Sequence, residues 1–146
     1  MLLEVDAIGM YDTAAEEMGK IFISTELGGG GSSSAGSVAI AKKGVDNLLY
    51  HAGIKKGNPE LQDSVELIMP DHRCYISSES SGLLELCVEL GETVTEGQIL
   101  ARVHDIDRTG SDPIEYPSPM DGVFAARHFP GLIGMGDIVG VVAVKV

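Results

Sequence analysis

Glu26 stands just ahead of a glycine run in the segment Thr25-Glu26-Leu27-Gly28-Gly29-Gly30-Gly31-Ser32-Ser33-Ser34. A carboxylate at the C-terminal end of a strand, the edge where open α/β sheets place their sites, can act as general base toward a bound water. Glycine directly after it lets a substrate approach the main chain and leaves N–H groups free to meet an anion. Glu26 is therefore the candidate catalytic residue, and Gly28 and Gly29 are candidate substrate contacts. A second reading stands beside this one. Every residue from 28 to 36 is Gly, Ser or Ala, which is also the composition of a flexible linker.

The other residues capable of chemistry are dispersed. His51, His72, His104 and His128 form no HxxE or HxxxH pair, so no metal site is assigned. His51 falls near a helix C-terminus, where a cation is favoured. His72 reads as a turn residue and His128 as structural. His104, Asp105 and Asp107 are ligand types, but alternate positions at a strand end face solvent more often than metal. Tyr116, before Pro117-Ser118-Pro119, is a candidate substrate contact, with packing at a hairpin base as the stronger alternative. Glu85, Glu89, Glu92 and Glu96 alternate with apolar positions, as on a solvated sheet face. Cys74 and Cys87 show no repeated spacing and read as reduced thiols of a cytoplasmic protein.

These residues need elements to position them, and composition limits the choice. The 146 residues include 22 acids against 10 bases, a net charge of −12, and 44% are apolar, enough for a core. So acidic a chain offers no footprint for a phosphate backbone, so no nucleic acid is expected. No apolar run approaches the roughly 20 residues of a membrane span. The opening MLLEVDAIGMYD lacks a cationic region and carries early acids, unlike a secretory leader. Charge divides the chain: residues 1–60 carry −3 and residues 61–146 carry −9, with no lysine between Lys56 and Lys145. The turn-rich GIKKGNPELQD at 53–63 is the expected seam, giving units 1–57 and 58–146.

Met10, Ala14, Ala15 and Met18 repeat at helical spacing, with Gly19 as a stop. Lys20–Thr25 fits a short buried strand. Val38, Ala41, Val45, Leu48, Leu49 and Ala52 then form one helical stripe that ends at Gly53. One strand between two helices cannot satisfy its own edges, so the first unit reads as the tail of a larger α/β domain. From 63 onward the pattern is all-β: 65–69, 73–78, 82–90, 99–104, 114–116, 122–128 and 138–144 read as strands. Ser81-Gly82-Leu83-Leu84 matches Asp121-Gly122-Val123-Phe124 at an offset of 40, and Gly91 matches Gly131. Gly97 and Gly136 match at 39. Such a repeat implies two similar hairpin units about an approximate two-fold axis.

The repeated halves resemble the biotinyl/lipoyl-like barrel-sandwich, for which the overall expectation is an α+β chain. Carrier members place a modified lysine in the hairpin between the halves. Here that hairpin, His104–Asp112, has none, so the carrier role is excluded by chemistry.

TELGGGG, the following SVAIAKKGVDNLLYHAGI helix and the lysine-less barrel together resemble the C-terminal part of the succinylglutamate desuccinylase/aspartoacylase family. Within it they resemble the branch that deacetylates N-α-acetyl-L-2,4-diaminobutyrate. The resemblance covers essentially the whole chain. It implies a zinc-carboxypeptidase-like α/β domain followed by the barrel, and hydrolysis of N-acyl amino acids by one Zn²⁺ and an activated water. Glu26 then matches the glutamate that moves the proton from water to the leaving amine. The family's zinc ligands lie upstream of that motif, and its substrate-carboxylate arginine belongs to the same missing part. Residues 1–25 contain no histidine. The expectations are a small N-acyl amino acid as substrate of the full-length protein, no zinc on this chain, no activity alone, and a homo-oligomer. A binding or adaptor module, or a structural subunit completing a separately encoded catalytic domain, are the alternatives.

Overall fold

The computed structural model describes residues 10–146. The segment read against a secretory leader falls largely on 1–9, outside the described residues. The fold is α+β, with two α-helices, one 3₁₀ turn and antiparallel sheet among the described residues, and it divides into two compact units that meet in sequence between Ser64 and Val65.

In the first unit α1 spans Tyr11–Glu17 and α2 spans Ala35–His51. Gly19, at φ +66°, ends α1 as the stop residue expected there. α2 starts at a reciprocal serine cap. Ser34 Oγ accepts the Ser37 N–H at 3.1 Å, and Ser37 Oγ accepts the Ser34 N–H at 2.9 Å. Gly53, at φ +70°, ends α2, and its N–H bonds to the Tyr50 carbonyl at 3.1 Å.

The strand expected at 20–25 does not form. Residues 20–26 have no regular structure, Ile21 is 98% exposed and Ile23 is 66% exposed. A strand exists only through a neighbour's hydrogen bonds, and among the described residues no other extended segment of this unit pairs with it. None of residues 10–64 is buried.

The second unit holds nine strands. These are β1 Leu67–Ile68, β2 Tyr75–Ser77, β3 Gly82–Leu86, β4 Thr93–Val94, β5 Ile99–His104, β6 Ile114–Pro117, β7 Gly122–Arg127, β8 Leu132–Ile133 and β9 Ile138–Lys145. β1, β9, β7 and β4 lie side by side in one sheet, with β2 also on β9; β6, β5, β3 and β8 form the other. Every pairing is antiparallel. Three expected strands are markedly shorter than read, and of 65–69 only Leu67 and Ile68 are paired. Residues 73 and 74 belong to a 3₁₀ turn, His72–Cys74, started by Asp71, and β3 stops at Leu86 where the chain turns.

Both sheets contribute to the core. Val88, Val94, Leu100, Phe124 and Val142 form one cluster, and Ala101, Val103, Tyr116, Ile133 and Val139 another. Ile76 and Leu86 touch both clusters and join them.

The internal repeat is visible bond by bond. Ser78 Oγ donates to the Ser80 carbonyl and Ser118 Oγ to the Met120 carbonyl, each at 2.7 Å. Ser78 N–H bonds Asp137 O and Ser118 N–H bonds Gln98 O, both at 2.8 Å. Gly136 N–H returns to Ser78 O and Gly97 N–H to Ser118 O. At the matching glycines a Cβ would strike a carbonyl of the adjacent strand, that of His104 beside Gly82 and that of Ala143 beside Gly122. This close approach is what fixes glycine in both copies.

Candidate functional site

Glu26 lies in the extended segment between α1 and α2, exposed to solvent. The glycines after it are not featureless. Gly28, Gly29, Gly30 and Gly31 take φ of +91°, +68°, +66° and +65°, four successive left-handed residues. Side-chain-bearing residues each cost about 1–2 kcal/mol in that region, so the run is a conformational requirement. No atom outside the loop lies within 4 Å of the Cβ positions of Gly28, Gly29 or Gly31, which leaves this stretch of main chain open. The turn leads directly into the Ser34 cap of α2. Glu26, Gly28 and Gly29 thus share one exposed loop. The strand that was to present Glu26 is an unpaired extended segment.

Tyr116 belongs to β6 of the second unit and is only 4% exposed. Its hydroxyl accepts the Glu79 N–H at 2.9 Å and lies 3.1 Å from Ser78 Oγ and 3.4 Å from Ser80 Oγ. Ser78 Oγ already donates its proton to the Ser80 carbonyl. The Tyr116 hydroxyl is therefore the donor to Ser78. These bonds match the packing alternative raised for Tyr116. The polar run Ser77-Ser78-Glu79-Ser80-Ser81 was the sequence signal for such a partner.

The rings of two of the four histidines have a hydrogen-bond partner. His104 Nε2 meets Glu85 Oε2 at 2.6 Å across β3 and β5. Arg102 bridges Glu85 at 3.3 Å and Glu115 at 3.0 Å on the same face. The bond to His104, followed by the charge of Arg102, holds the Glu85 carboxyl below its ordinary range. His128 Nε2 contacts the Leu132 carbonyl at 3.0 Å. His51 ends α2 and His72 opens the 3₁₀ turn. Beside His72, the Arg73 side chain pulls the Asp71 carboxyl down to about 2. Both cysteines are free. Among the described residues no group of three or more His, Cys, Asp or Glu could hold a metal ion. The donor set does not fit zinc, and no chemical step is assigned to a metal on this chain.

The curated relative N-alpha-acetyl-L-2,4-diaminobutyric acid deacetylase of Halomonas elongata is 50% identical over 145 residues, 98% of this chain and 42% of the relative. This chain corresponds to the C-terminal part of succinylglutamate desuccinylase/aspartoacylase family proteins. The product-bound ectoine utilization protein EutE (DoeB) of Ruegeria pomeroyi superposes with a TM-score of 0.92 at 56% identity, over 96% of this chain and 43% of that one. A succinylglutamate desuccinylase of Silicibacter sp. TM1040 gives 0.92 at 54% identity, over 98% of this chain and 44% of that one. The chain thus spans less than half the length of the family proteins it matches. No protein-family model matches the sequence. No helix among the described residues is long and apolar enough to cross a membrane.

Proposed function

We propose that this chain is the C-terminal part of a zinc-dependent hydrolase that removes an acyl group, acetyl in the favoured reading, from an N-acyl amino acid. The observation that carries the proposal is the 50% identity to the Halomonas elongata deacetylase along 98% of the chain. In this reading Glu26 takes a proton from the attacking water and returns it to the leaving amine, as an exposed carboxylate can. Gly28 and Gly29 offer open main chain to the substrate. Tyr116 is the weakest member of the set, because its hydroxyl is committed within the β unit.

Residues 1–57 are then the remnant of a zinc-carboxypeptidase-like α/β domain, a reading supported by the absence of any buried residue across 10–64. Residues 58–146 carry the lysine-less biotinyl/lipoyl-like barrel-sandwich, whose strands begin at Leu67. The metal ligands belong to parts of such a protein outside these residues, so the chain by itself is inactive. Its open apolar surface supports a homo-oligomer, and its two free thiols support a cytoplasmic setting.

The test is to measure zinc content and deacetylase activity of the purified chain. Neither is expected. Stoichiometric zinc together with turnover that is lost in Glu26→Gln would overturn the reading.

A further inference from the structure

One face of α2 carries the chain that follows the helix. Lys43, Asp46, Asn47 and Tyr50 stand at i, i+3, i+4 and i+7, one above another on the same side. Each of them meets a residue of the segment 53–60. Asn47 Nδ2 donates to the Glu60 carbonyl and Asn47 Oδ1 accepts the Glu60 N–H, both at 2.9 Å. Lys43 Nζ reaches the Glu60 carboxylate at 3.3 Å. Lys55 Nζ bonds Asp46 at 2.7 Å and lies 4.9 Å from the centre of the Tyr50 ring. Gly57, at φ +143°, comes so close to that ring that a Cβ would stand 2.6 Å from Cε1. Asn47 therefore pairs with both backbone groups of Glu60, much as a neighbouring strand would.

We propose that residues 53–60 form a strap fastened along α2, chiefly by Asn47, so that the free connection ahead of Val65 is only residues 61–64. No hydrogen bond or ion pair holds 61–64 among the described residues. The consequence is one of reach. Twelve unbraced residues, 53–64, extend to about 40 Å, whereas four extend to about 14 Å. The strap turns a long, glycine-containing connector into a short tether. Its ionic contacts are exposed and are screened by salt. The amide pair is neutral and holds the strap when they are weakened.

Trypsin reads the strap directly, because Lys55 and Lys56 are cleavage sites within it. Lys20, whose N–H bonds the Ala15 carbonyl at the end of α1, is an internal control that makes no hydrogen bond or ion pair with the strap among the described residues. Cleavage from a transiently opened segment follows the population of the open form. Asn47→Ala removes two neutral hydrogen bonds and is expected to speed cleavage after Lys55 and Lys56 roughly tenfold, with Lys20 unchanged. Asn47→Asp keeps the acceptor for the Glu60 N–H and loses the donor, and is expected to fall between. Wild-type protection at Lys55 and Lys56 should survive high salt. Equal rates in wild type and Asn47→Ala, or an acceleration shared by Lys20, would overturn the proposal. Circular dichroism identifies a variant that has lost α2. In that event hydrogen exchange at the wild-type Glu60 N–H decides, slow exchange supporting the strap and exchange at the rate of a free amide overturning it.

Discussion

Tyr116 has a single proton to give, and it gives it to Ser78 while accepting the Glu79 N–H. Removing the hydroxyl in Tyr116→Phe leaves buried Ser78 with only the long 3.4 Å bond from the Ser80 N–H, and leaves the Glu79 N–H without its acceptor. The expected cost is about 1–2 kcal/mol, a melting temperature lower by roughly 5–10 °C for a unit of this size. A substrate-binding role makes the opposite forecast: unchanged melting, with the loss seen only in turnover of a complete enzyme. Thermal denaturation of the variant separates the two. Glu26 stood out as a candidate at this scale because a carboxylate beside four glycines is unusual. The left-handed path of Gly28–Gly31 was not, since linker and loop share one composition. Asn47 gave no signal, because its partner lies thirteen positions away and a lone asparagine on a helix reads as solvated.

At the scale of elements, β3, β5 and β6 are tied on their outer face by His104–Glu85–Arg102–Glu115. The Glu85 carboxyl titrates below its unfolded value of 4.5. Its contribution to stability is therefore complete above that value and lost as pH falls through the lower, folded value. Asp71 behaves alike, contributing fully above 3.8 and losing its contribution as pH falls through about 2. Melting temperature recorded against pH should fall less steeply on the acid side in Glu85→Gln and Asp71→Asn than in wild type. Identical acid limbs would show that these exposed pairs do not contribute. The longer strands of this unit were readable from alternating apolar residues. β4 and β8 were missed because two residues cannot display a period. The segment at 20–25 was misread for the opposite reason. Its β-branched and aromatic side chains suit a strand, but the lack of a partner strand, itself readable in the sequence, leaves the segment extended and unpaired.

For the whole molecule, an apolar stripe is left open. Val38, Val45 and Leu48 on α2 are 49%, 56% and 43% exposed, and Ile21 is almost wholly so. Surface of this kind seeks cover. Sedimentation of the chain over the micromolar range should show self-association, reversed by Ile21→Lys combined with Val45→Lys. A monomer at every concentration would count against the oligomer. The paired hairpin pattern of the second unit was legible from glycine spacing alone, because close main-chain approach admits no other residue at Gly82 and Gly122.

That repeat has a topological consequence. Asp137 and Gly136 bond to Ser78, while Gln98 and Gly97 bond to Ser118, so the turn hydrogen bonds of each half end on the other half. Neither 65–104 nor 114–146 holds its own complement, and neither should fold as a free peptide. The exposed hairpin at 105–113 joins them covalently but supplies none of these reciprocal bonds. A backbone cut there would leave two interlocked pieces that remain one body, held by mutual exchange of turns.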